Sequence, residues 1–195
     1  MIPATAEQEK ALIGALREGE GEAKRVFYEQ FYLYLAAVCM RYVQRDDEVK
    51  DLLQDVFLKI FSRFDRFVYR GPGSLQAWSH QIAVNESLMF LRKRRRHPTL
   101  PIEWHDKQKE EEEDEYTENP SIEDIPPQVL LEMIRRLPDR YRTVFNLFIF
   151  EDKSHQEIAS LLHIKEDSSA SNLHRAKALL SKWIKEYWNQ NNHGR

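Results

Sequence analysis

The part of the sequence best suited to chemistry is a run of five consecutive cations: Arg92, Lys93, Arg94, Arg95 and Arg96. Cations suit the C-terminus of a helix, but five in a row exceed what its dipole needs and favour phosphate binding. Four aromatic residues precede the run around a glycine-rich loop: Phe64, Phe67, Tyr69 and Trp78. Because bases stack on rings while cations follow the backbone, the combination is typical of single-stranded DNA binding. For Phe64 and Trp78 a place in the core is favoured over stacking, whereas Tyr69 is less easily buried.

A second candidate for nucleic-acid binding lies between Ser154 and Leu180. Ser154 is a good N-cap, and Glu157 completes a capping box ahead of an apolar run. Apolar spacing then predicts two helices around a turn, with the stripes Ile158, Leu161 and Leu162, then Leu173, Ala176 and Leu180. This helix-turn-helix arrangement can place its second helix in a DNA groove, although it also occurs as plain structure.

No motif in the chain indicates an enzyme. The sequence has neither a glycine-rich phosphate loop nor an HExxH pair, and His155 beside one acid is typical of an ordinary solvent-facing pair. The single cysteine, Cys39, excludes an intramolecular disulfide framework and a multi-cysteine zinc site. No secretory signal and no apolar run of about 18 residues is visible. We therefore expect a soluble, cytoplasmic protein with no cofactor, no metal site and no membrane insertion.

Charge is distributed unevenly along the chain. The net charge is -3, but residues 97–127 hold 11 acids against 2 lysines, which leaves +6 on the remainder. The acidic segment includes six consecutive acids, Glu110 to Glu115, and is bordered by prolines. Because such a segment cannot bury enough apolar surface to offset its chain entropy, it is predicted to be a flexible linker. A solvated spacer is favoured over an acidic segment that mimics DNA or binds a partner.

Apolar residues at helical spacing predict a bundle before the cations. One helix carries its stripe from Phe27 to Tyr42, and a second begins at Asp46 as N-cap and continues to Phe64. A third follows the loop at residues 71–74 and buries Leu75, Trp78, Ile82 and Met89. Residues 7–18 are expected to add a short leading helix. Three facing stripes make a compact three- to four-helix bundle.

The outer face of the Asp46 helix carries a second stripe: Asp51, Gln54, Asp55 and Leu58. These positions follow i, i+3, i+4 and i+7, so they share one side of the helix. Spacing alone favours an ordinary solvated face, since single exposed leucines are common. The alternative is a docking surface for a basic partner helix.

Several segments resemble the two DNA-reading regions of bacterial sigma factors. Those similar to region 2 are residues 51–58 (DLLQDVFL), 69–78, 82–85 (IAVN) and 91–93. Those similar to region 4 are Leu137-Pro138 with Arg140, residues 154–162 and residues 174–177 (HRAK). Two unrelated blocks occur in the family's order and separation. The chain therefore resembles the extracytoplasmic-function group of the sigma-70 family, which has only these two regions and a short linker.

The resemblance implies a mechanism without a catalytic residue. Such proteins bind core RNA polymerase, direct it to a promoter and assist DNA opening. The outer face of the Asp46 helix would dock on a coiled coil of the largest subunit, and region 4 would meet the polymerase flap. Tyr69, His80 and Asn85 would line a pocket for a flipped base of the -10 element, beside the five cations. An amide such as Asn85 can serve a base edge as donor and acceptor, or can be structural.

Region 4 would read the -35 element with its second helix in the major groove. The implied contacts are Ser171, Asn172, His174, Arg175 and Lys177. Here the chain departs from its relatives, since Ala170 and Asn172 stand where many carry a cation, and His163 replaces the turn glycine. Histidine tolerates positive φ better than most residues, so the turn can survive. The short side chains at residues 168–172 predict modest phosphate affinity.

The sequence thus predicts an all-α protein of two small helical domains joined by a flexible acidic linker. The boundaries are 1–96 for region 2, 97–127 for the linker and 128–195 for the region 4 helix-turn-helix bundle. The implied partners are core RNA polymerase, promoter DNA and an anti-sigma factor that clamps both domains. A stand-alone helix-turn-helix regulator is the alternative, in which the linker and the aromatic-basic block would have no role. The five cations disfavour an adaptor that avoids DNA.

Overall fold

The computed structural model describes residues 2–3, 5–96 and 125–192, and over these ranges it confirms an all-helical fold without strands. The described residues form two compact units, one up to residue 96 and one from residue 125. The first unit contains α1 (Ala6–Arg17), α2 (Gly21–Tyr42), α3 (Asp46–Ser62), a short 3-10 turn (Phe64–Arg66) and α4 (Ser74–Arg96). The second contains α5 (Pro127–Arg136), α6 (Asp139–Ile149), α7 (His155–Leu162) and α8 (Glu166–Asn192). The predicted linker lies outside the described residues, apart from its last three.

Helices α2, α3 and α4 pack on one another as the predicted bundle, and α1 packs on α2. The apolar stripes of α2 and α3 are buried from Phe27 to Tyr42 and from Val49 to Ile60. Two serines also lie in the core on α4, where Ser79 and Ser87 each donate to a backbone carbonyl four residues earlier. Because these hydroxyls are satisfied within their own helix, they enter the core without an unpaired polar group.

Three details of the first unit differ from the sequence prediction. Helix α3 ends at Ser62, so Phe64 is buried from the 3-10 turn and not from the helix. The N-cap of α3 is Arg45, and Asp46 opens the first turn, where its charge favours the helix dipole. Met89 is exposed on α4, because Leu88 occupies the packed side at that turn.

The start of α4 is held by a buried acid that sequence analysis did not identify. Glu9 of α1 is 4% exposed, and its carboxylate accepts from the backbone amides of Gly73 at 2.8 Å and Leu75 at 2.7 Å. These amides belong to the orphan donors that every helix N-terminus presents. Gly73 has φ +81°, a conformation that glycine adopts without strain. One carboxylate therefore caps a helix that begins more than 60 residues later.

Replacing Glu9 with alanine should destabilise the first unit by about 2–3 kcal/mol, because two amides at the start of α4 lose a charged acceptor. A loss of that size lowers the melting temperature of a unit this small by about 10 °C or more. Thermal unfolding followed by circular dichroism measures the shift. Glu7→Ala, an exposed acid on the same helix, is the matched control and should change the midpoint little. Equal midpoints for both variants would contradict the capping role.

In the second unit, α8 packs against α5, α6 and α7. One cluster of its core contains eight buried residues: Ile125, Met133, Ile134, Leu137, Tyr141, Ala176, Leu180 and Ile184. Since Ile125 is among them and α5 begins at Pro127, packed structure begins earlier than the predicted boundary at residue 128. The final turns of α8 add Trp183, Tyr187 and Trp188 to this core, and Arg136 of α5 lies 4.7 Å from the Trp183 ring centroid.

Arg142 is a second buried ionic group that sequence analysis missed. It is fully buried on α6, where its guanidinium donates to the carbonyls of Arg135 at 3.0 Å and Leu137 at 2.7 Å. It also pairs with the carboxylate of Asp139. The two carbonyls lie at the C-terminal end of α5, which leaves acceptors without partners inside the helix. Arg142 therefore ties the end of α5 to α6.

Candidate nucleic-acid and partner interfaces

The outer face of α3 is exposed along its length. Asp51, Gln54, Asp55 and Leu58 all face solvent, and Leu58 is 67% exposed. Buried neighbours such as Leu53 and Val56 occupy the opposite side of the helix. The four residues thus form one acidic surface with an apolar member, as their spacing predicts. A docking role for this surface stays a prediction.

Beside this surface lies an apolar groove between α2 and α3 that sequence analysis did not identify. Its volume is about 410 Å³, and it is lined by Tyr28, Tyr32, Lys50, Leu53, Gln54, Phe57, Leu58 and Phe61. The ring centroids of Tyr28 and Phe57 are 4.6 Å apart. Tyr28 and Tyr32 lie one turn apart on α2, outside its core stripe. Their spacing in the sequence is the feature that could have indicated this groove. The groove extends the acidic surface with aromatic area.

The three residues expected to line a base pocket do not share one face. Tyr69 lies half-buried in the loop before α4, with Lys10 of α1 5.5 Å from its ring centroid. His80 turns towards α2, where its Nδ1 is 2.9 Å from the hydroxyl of Tyr34. Asn85 is exposed and accepts from the side-chain amide of Gln81 at 3.3 Å. His80 and Asn85 are about 140° apart around α4, since each residue advances by about 100°.

The exposure of Asn85 bears on the two roles that the sequence left open. A structural amide would lie in the core with its partners, whereas Asn85 lies on an outward stripe with Gln81, Met89 and Arg92. An exposed amide in line with a cation suits a base edge and a phosphate together. The core placement expected of Phe64 is confirmed, and Phe67 is buried with it, since the two rings pack against each other and against the half-buried Trp78.

The five cations are not equivalent. Arg92 and Lys93 are exposed. Arg94 forms an ion pair with Glu48 of α3 at 3.3 Å, and its side chain is only 24% exposed. The bundle therefore uses Arg94 in part for its own packing, which corrects the prediction of five DNA-facing cations. The side chains of Arg95 and Arg96 lie outside the described residues.

The helix-turn-helix has the predicted local geometry. The Ser154 amide donates to Glu157 at 2.8 Å, and the Glu157 amide donates to the Ser154 hydroxyl at 3.2 Å, which completes the capping box. The backbone hydrogen bond from Ser154 lowers the pKa of Glu157, so the acid stays ionised where it caps. His163 ends α7 with φ +55° and ψ +48°, the left-handed conformation expected of the residue that replaces a turn glycine.

Helix α8 presents fewer polar contacts than the sequence suggested. Ser171, His174 and Lys177 are exposed at steps of three residues. Asn172 is 3% exposed and lies on the buried side of α8 with Leu173 and Ala176, so its prediction as a DNA contact is corrected. Arg175 is half-buried and donates to the Tyr141 hydroxyl at 3.5 Å. The exposed reading face is therefore short and weakly cationic.

Metal or thiol chemistry has no support among the described residues. No group of three His, Cys, Asp or Glu side chains in those ranges could hold a metal ion. Burial raises the pKa of Cys39 to about 12, so its thiol stays protonated. His155 stacks on Phe148 at 4.8 Å and lies 3.0 Å from the Ser169 hydroxyl, which gives it a packing role. Over the same ranges, no helix has the length and apolarity needed to span a bilayer.

Comparisons with known proteins agree with this arrangement. Residues 27–97 match the family model for Sigma-70 region 2, and residues 128–180 match that for Sigma-70, region 4. The ECF RNA polymerase sigma-E factor of Haemophilus influenzae is 24% identical over 182 residues, which cover 90% of this chain and 95% of that protein. The RNA polymerase sigma-H factor of Pseudomonas aeruginosa is 25% identical over 190 residues, covering 91% and 94%.

The fold was also compared with solved structures. One, the sigma factor RpoE in complex with the anti-sigma factor NepR from Bartonella quintana, superposes with a TM-score of 0.46 and 21% identity. The alignment covers 83% of this chain and 98% of that chain. The two family models together span well over half of the sequence, in the order region 2 then region 4. The chain belongs to the sigma-70 family.

Proposed function

We propose that this protein is an extracytoplasmic-function sigma factor, which binds core RNA polymerase and directs transcription initiation at promoters with its own -10 and -35 elements. The observation that carries this proposal is the presence of regions 2 and 4 on two separate compact units. We assign region 2 to residues 1–96 and region 4 to the predicted 128–195, extended back to Ile125 because that residue packs in the second core, with the linker between them. The protein would act in the cytoplasm with the polymerase, and an anti-sigma factor would restrain it.

The acidic surface on α3 is the proposed polymerase contact. Asp51, Asp55 and Gln54 supply charge and hydrogen bonds, while Leu58 and the adjoining aromatic groove supply apolar area. Protein interfaces commonly have an apolar centre surrounded by a polar rim, and this surface offers both. A basic helix of a coiled coil could pair with the acidic residues and pack on the apolar area at the same time. The same surface would be covered when an anti-sigma factor is bound.

Promoter opening is proposed to proceed by binding and without catalysis. Extruding a base from the stack costs a few kcal/mol, which stacking and hydrogen bonds on the protein offset. Tyr69 offers a half-buried ring, Asn85 an exposed amide, and Arg92 and Lys93 charge for the backbone. His80 is proposed to act from the side of α4 that faces Tyr34.

Region 4 is proposed to read the -35 element with Ser171, His174 and Lys177, assisted by Arg175. Glu166 and Asp167 at the start of α8 repel phosphate, so the charge of this end is unfavourable for DNA. We therefore expect region 4 alone to bind the -35 element weakly, and to bind it more tightly when the polymerase holds both units on one DNA. Holding both units on the same DNA raises the effective concentration of region 4 near its site without any new contact.

Run-off transcription with purified core polymerase and a library of promoter fragments tests the proposal. The sigma factor should produce initiation that core polymerase alone does not. The alternative, a stand-alone helix-turn-helix regulator, requires tight binding to a specific duplex without polymerase, and a gel-shift assay measures this. Tight polymerase-independent binding without any added initiation would favour the regulator and overturn the sigma assignment.

Asn85→Ala should impair promoter opening by about tenfold, because a well-placed side-chain contact to a base contributes about 1–3 kcal/mol. Permanganate footprinting of unpaired thymines in the polymerase complex measures opening. Binding to core polymerase should stay within twofold of the original protein. Asn85→Gln keeps an amide at this position and should retain part of the opening, and Gln81→Ala tests whether the donor to Asn85 contributes. Equal permanganate reactivity of the Asn85 variant and the original protein would remove Asn85 from the pocket.

A further inference from the structure

Helix α1 lies outside the residues that match Sigma-70 region 2, which begin at residue 27. Three of its side chains nevertheless contact the segment between the 3-10 turn and the second residue of α4. We call residues 67–75 the reader segment, because it contains Tyr69 and leads into the helix that carries His80 and Asn85. The contacts are made at two places on α1, one near its start and one at its last residue.

The first contact fixes the backbone where α4 begins. Both oxygens of the buried Glu9 carboxylate are engaged, one by the Gly73 amide and the other by the Leu75 amide. A carboxylate that accepts two divergent amides sets both the position and the direction of the helix start, since each hydrogen bond is directional. The position and direction of the first turn of α4 therefore depend on a side chain of α1.

The second and third contacts hold the other end of the segment. Arg17, the last residue of α1, donates from its guanidinium to the Phe67 carbonyl at 3.1 Å. Lys10 places its ammonium 5.5 Å from the centroid of the Tyr69 ring, within the range of a cation–π contact. Three side chains of one helix thus contact four residues of a nine-residue segment.

Between its buried ends, Phe67 and Leu75, the segment is held within itself only by turn hydrogen bonds, such as that from the Ser74 amide to the Gly71 carbonyl at 3.1 Å. It contains no regular element before α4, and its glycines Gly71 and Gly73 both have positive φ, at +138° and +81°. Val68 and Arg70 are exposed, so their side chains do not anchor the backbone. Glycine-rich loops lose much conformational freedom on ordering, and external contacts must compensate for it.

We infer that α1 is a positioning element for promoter opening, which holds the reader segment in the conformation that receives the flipped base. This inference rests on the proposed function, since it concerns the segment assigned to the -10 element. Glu9, Lys10 and Arg17 are positioning residues and act through Tyr69 and the start of α4. Preorganisation of this kind lowers the cost of capturing the base, because the segment is ordered before DNA arrives.

Two variants loosen the two ends of the segment separately: Glu9→Gln removes one full acceptor and the charge, and Arg17→Met removes the donor to Phe67. Arg17→Lys restores a donor, and Glu7→Gln on the same helix is the control for the charge change. Hydrogen exchange of the free protein, measured at the Gly73 and Leu75 amides, reports whether the segment is held. Permanganate reactivity of the full chain with polymerase measures whether a held segment matters for promoter opening, and core-polymerase affinity measures whether it matters for polymerase binding.

We expect exchange in Glu9→Gln and Arg17→Met to rise about tenfold more in residues 67–75 than in the middle of α2 and α3, where only the general loss of stability is felt. Promoter opening should fall by about tenfold, because small displacements of a positioned group cost one or two orders of magnitude. Polymerase affinity should stay within twofold. Arg17→Lys should recover at least half of the opening, which a general loss of stability would not allow.

Each contrary result has a distinct meaning. Unchanged exchange in both variants shows that α1 does not hold the segment and overturns the inference. Faster exchange with unaltered opening overturns it as well, while the sigma assignment stands. Exchange that rises equally in residues 67–75 and in the middle of α2 and α3, together with loss of polymerase affinity, assigns α1 a general structural role and overturns the inference. If the original protein itself fails to open promoters, the proposed function fails first, and the inference fails with it.

Discussion

Asp55→Arg should abolish binding to core RNA polymerase and leave the fold of the first unit intact. Asp55 is exposed at the middle of the acidic surface on α3, between Asp51 and Leu58. Reversing a charge at the centre of a complementary interface juxtaposes like charges, which costs several kcal/mol. A loss of several kcal/mol lowers affinity by about 100-fold or more. The helix itself should tolerate the change, since the position is solvent-facing and arginine is a good helix former.

Co-purification with core polymerase, followed by a titration at two salt concentrations, measures the effect. Asp65→Arg is the matched control because it reverses a charge on an exposed residue of the same unit, in the 3-10 turn and away from the acidic surface. Circular dichroism should give the same helical content for both variants. Retained binding by the Asp55 variant would place the docking surface elsewhere on the protein.

Arg142→Met should unfold the second unit at temperatures where the original protein is folded. The guanidinium is fully buried and serves two carbonyls and one carboxylate. Removing it leaves the Asp139 charge and the end of α5 without their partner, and breaking a buried pair in this way costs about 3–5 kcal/mol. That is a large share of the stability of a small domain, which is about 5–15 kcal/mol. Promoter activity that depends on the -35 element should disappear with the unit.

Thermal and urea unfolding, followed by tryptophan fluorescence in a chain that carries Trp78→Phe and Trp104→Phe, report on the second unit, because the two remaining rings, Trp183 and Trp188, pack in its core. Lys182→Met is the control, since Lys182 is an exposed cation of α8. The double variant Arg142→Met with Asp139→Asn should regain part of the loss, because it removes the uncompensated charge. A midpoint unchanged by Arg142→Met would mean that the pair contributes nothing to this fold.

Local patterns in the sequence were sufficient for most of the architecture. The stripe from Phe27 to Tyr42 and that of α3 follow helical periodicity, which depends on neighbouring residues only. The capping box at Ser154 and the left-handed His163 also depend on short-range geometry. The exposed surface at Asp51, Gln54, Asp55 and Leu58 followed from the same periodicity, since the positions opposite a buried stripe face outward.

What the sequence could not provide depends on contacts between distant residues. Glu9 reaches residues more than 60 positions away, and nothing near it distinguishes it from the exposed Glu7. Asn172 is a polar residue on the buried side of α8, and only the packing of that helix against the other helices of the unit decides which side is buried. Arg94 is one of five similar cations, and only the proximity of Glu48 separates it from the rest.

Helix α8 is a single element of 27 residues, so at about 1.5 Å per residue it is roughly 40 Å long. Its first turns carry Ser171 and His174, while its last turns carry Trp183 and Trp188 against α5. The end of α8 proposed to meet DNA and its aromatic end therefore belong to one continuous rigid helix. In the proposed promoter complex, the angle at which α8 enters the groove would depend on how Trp183 packs, so we expect repacking of Trp183 to change promoter preference without any change to a base-facing residue.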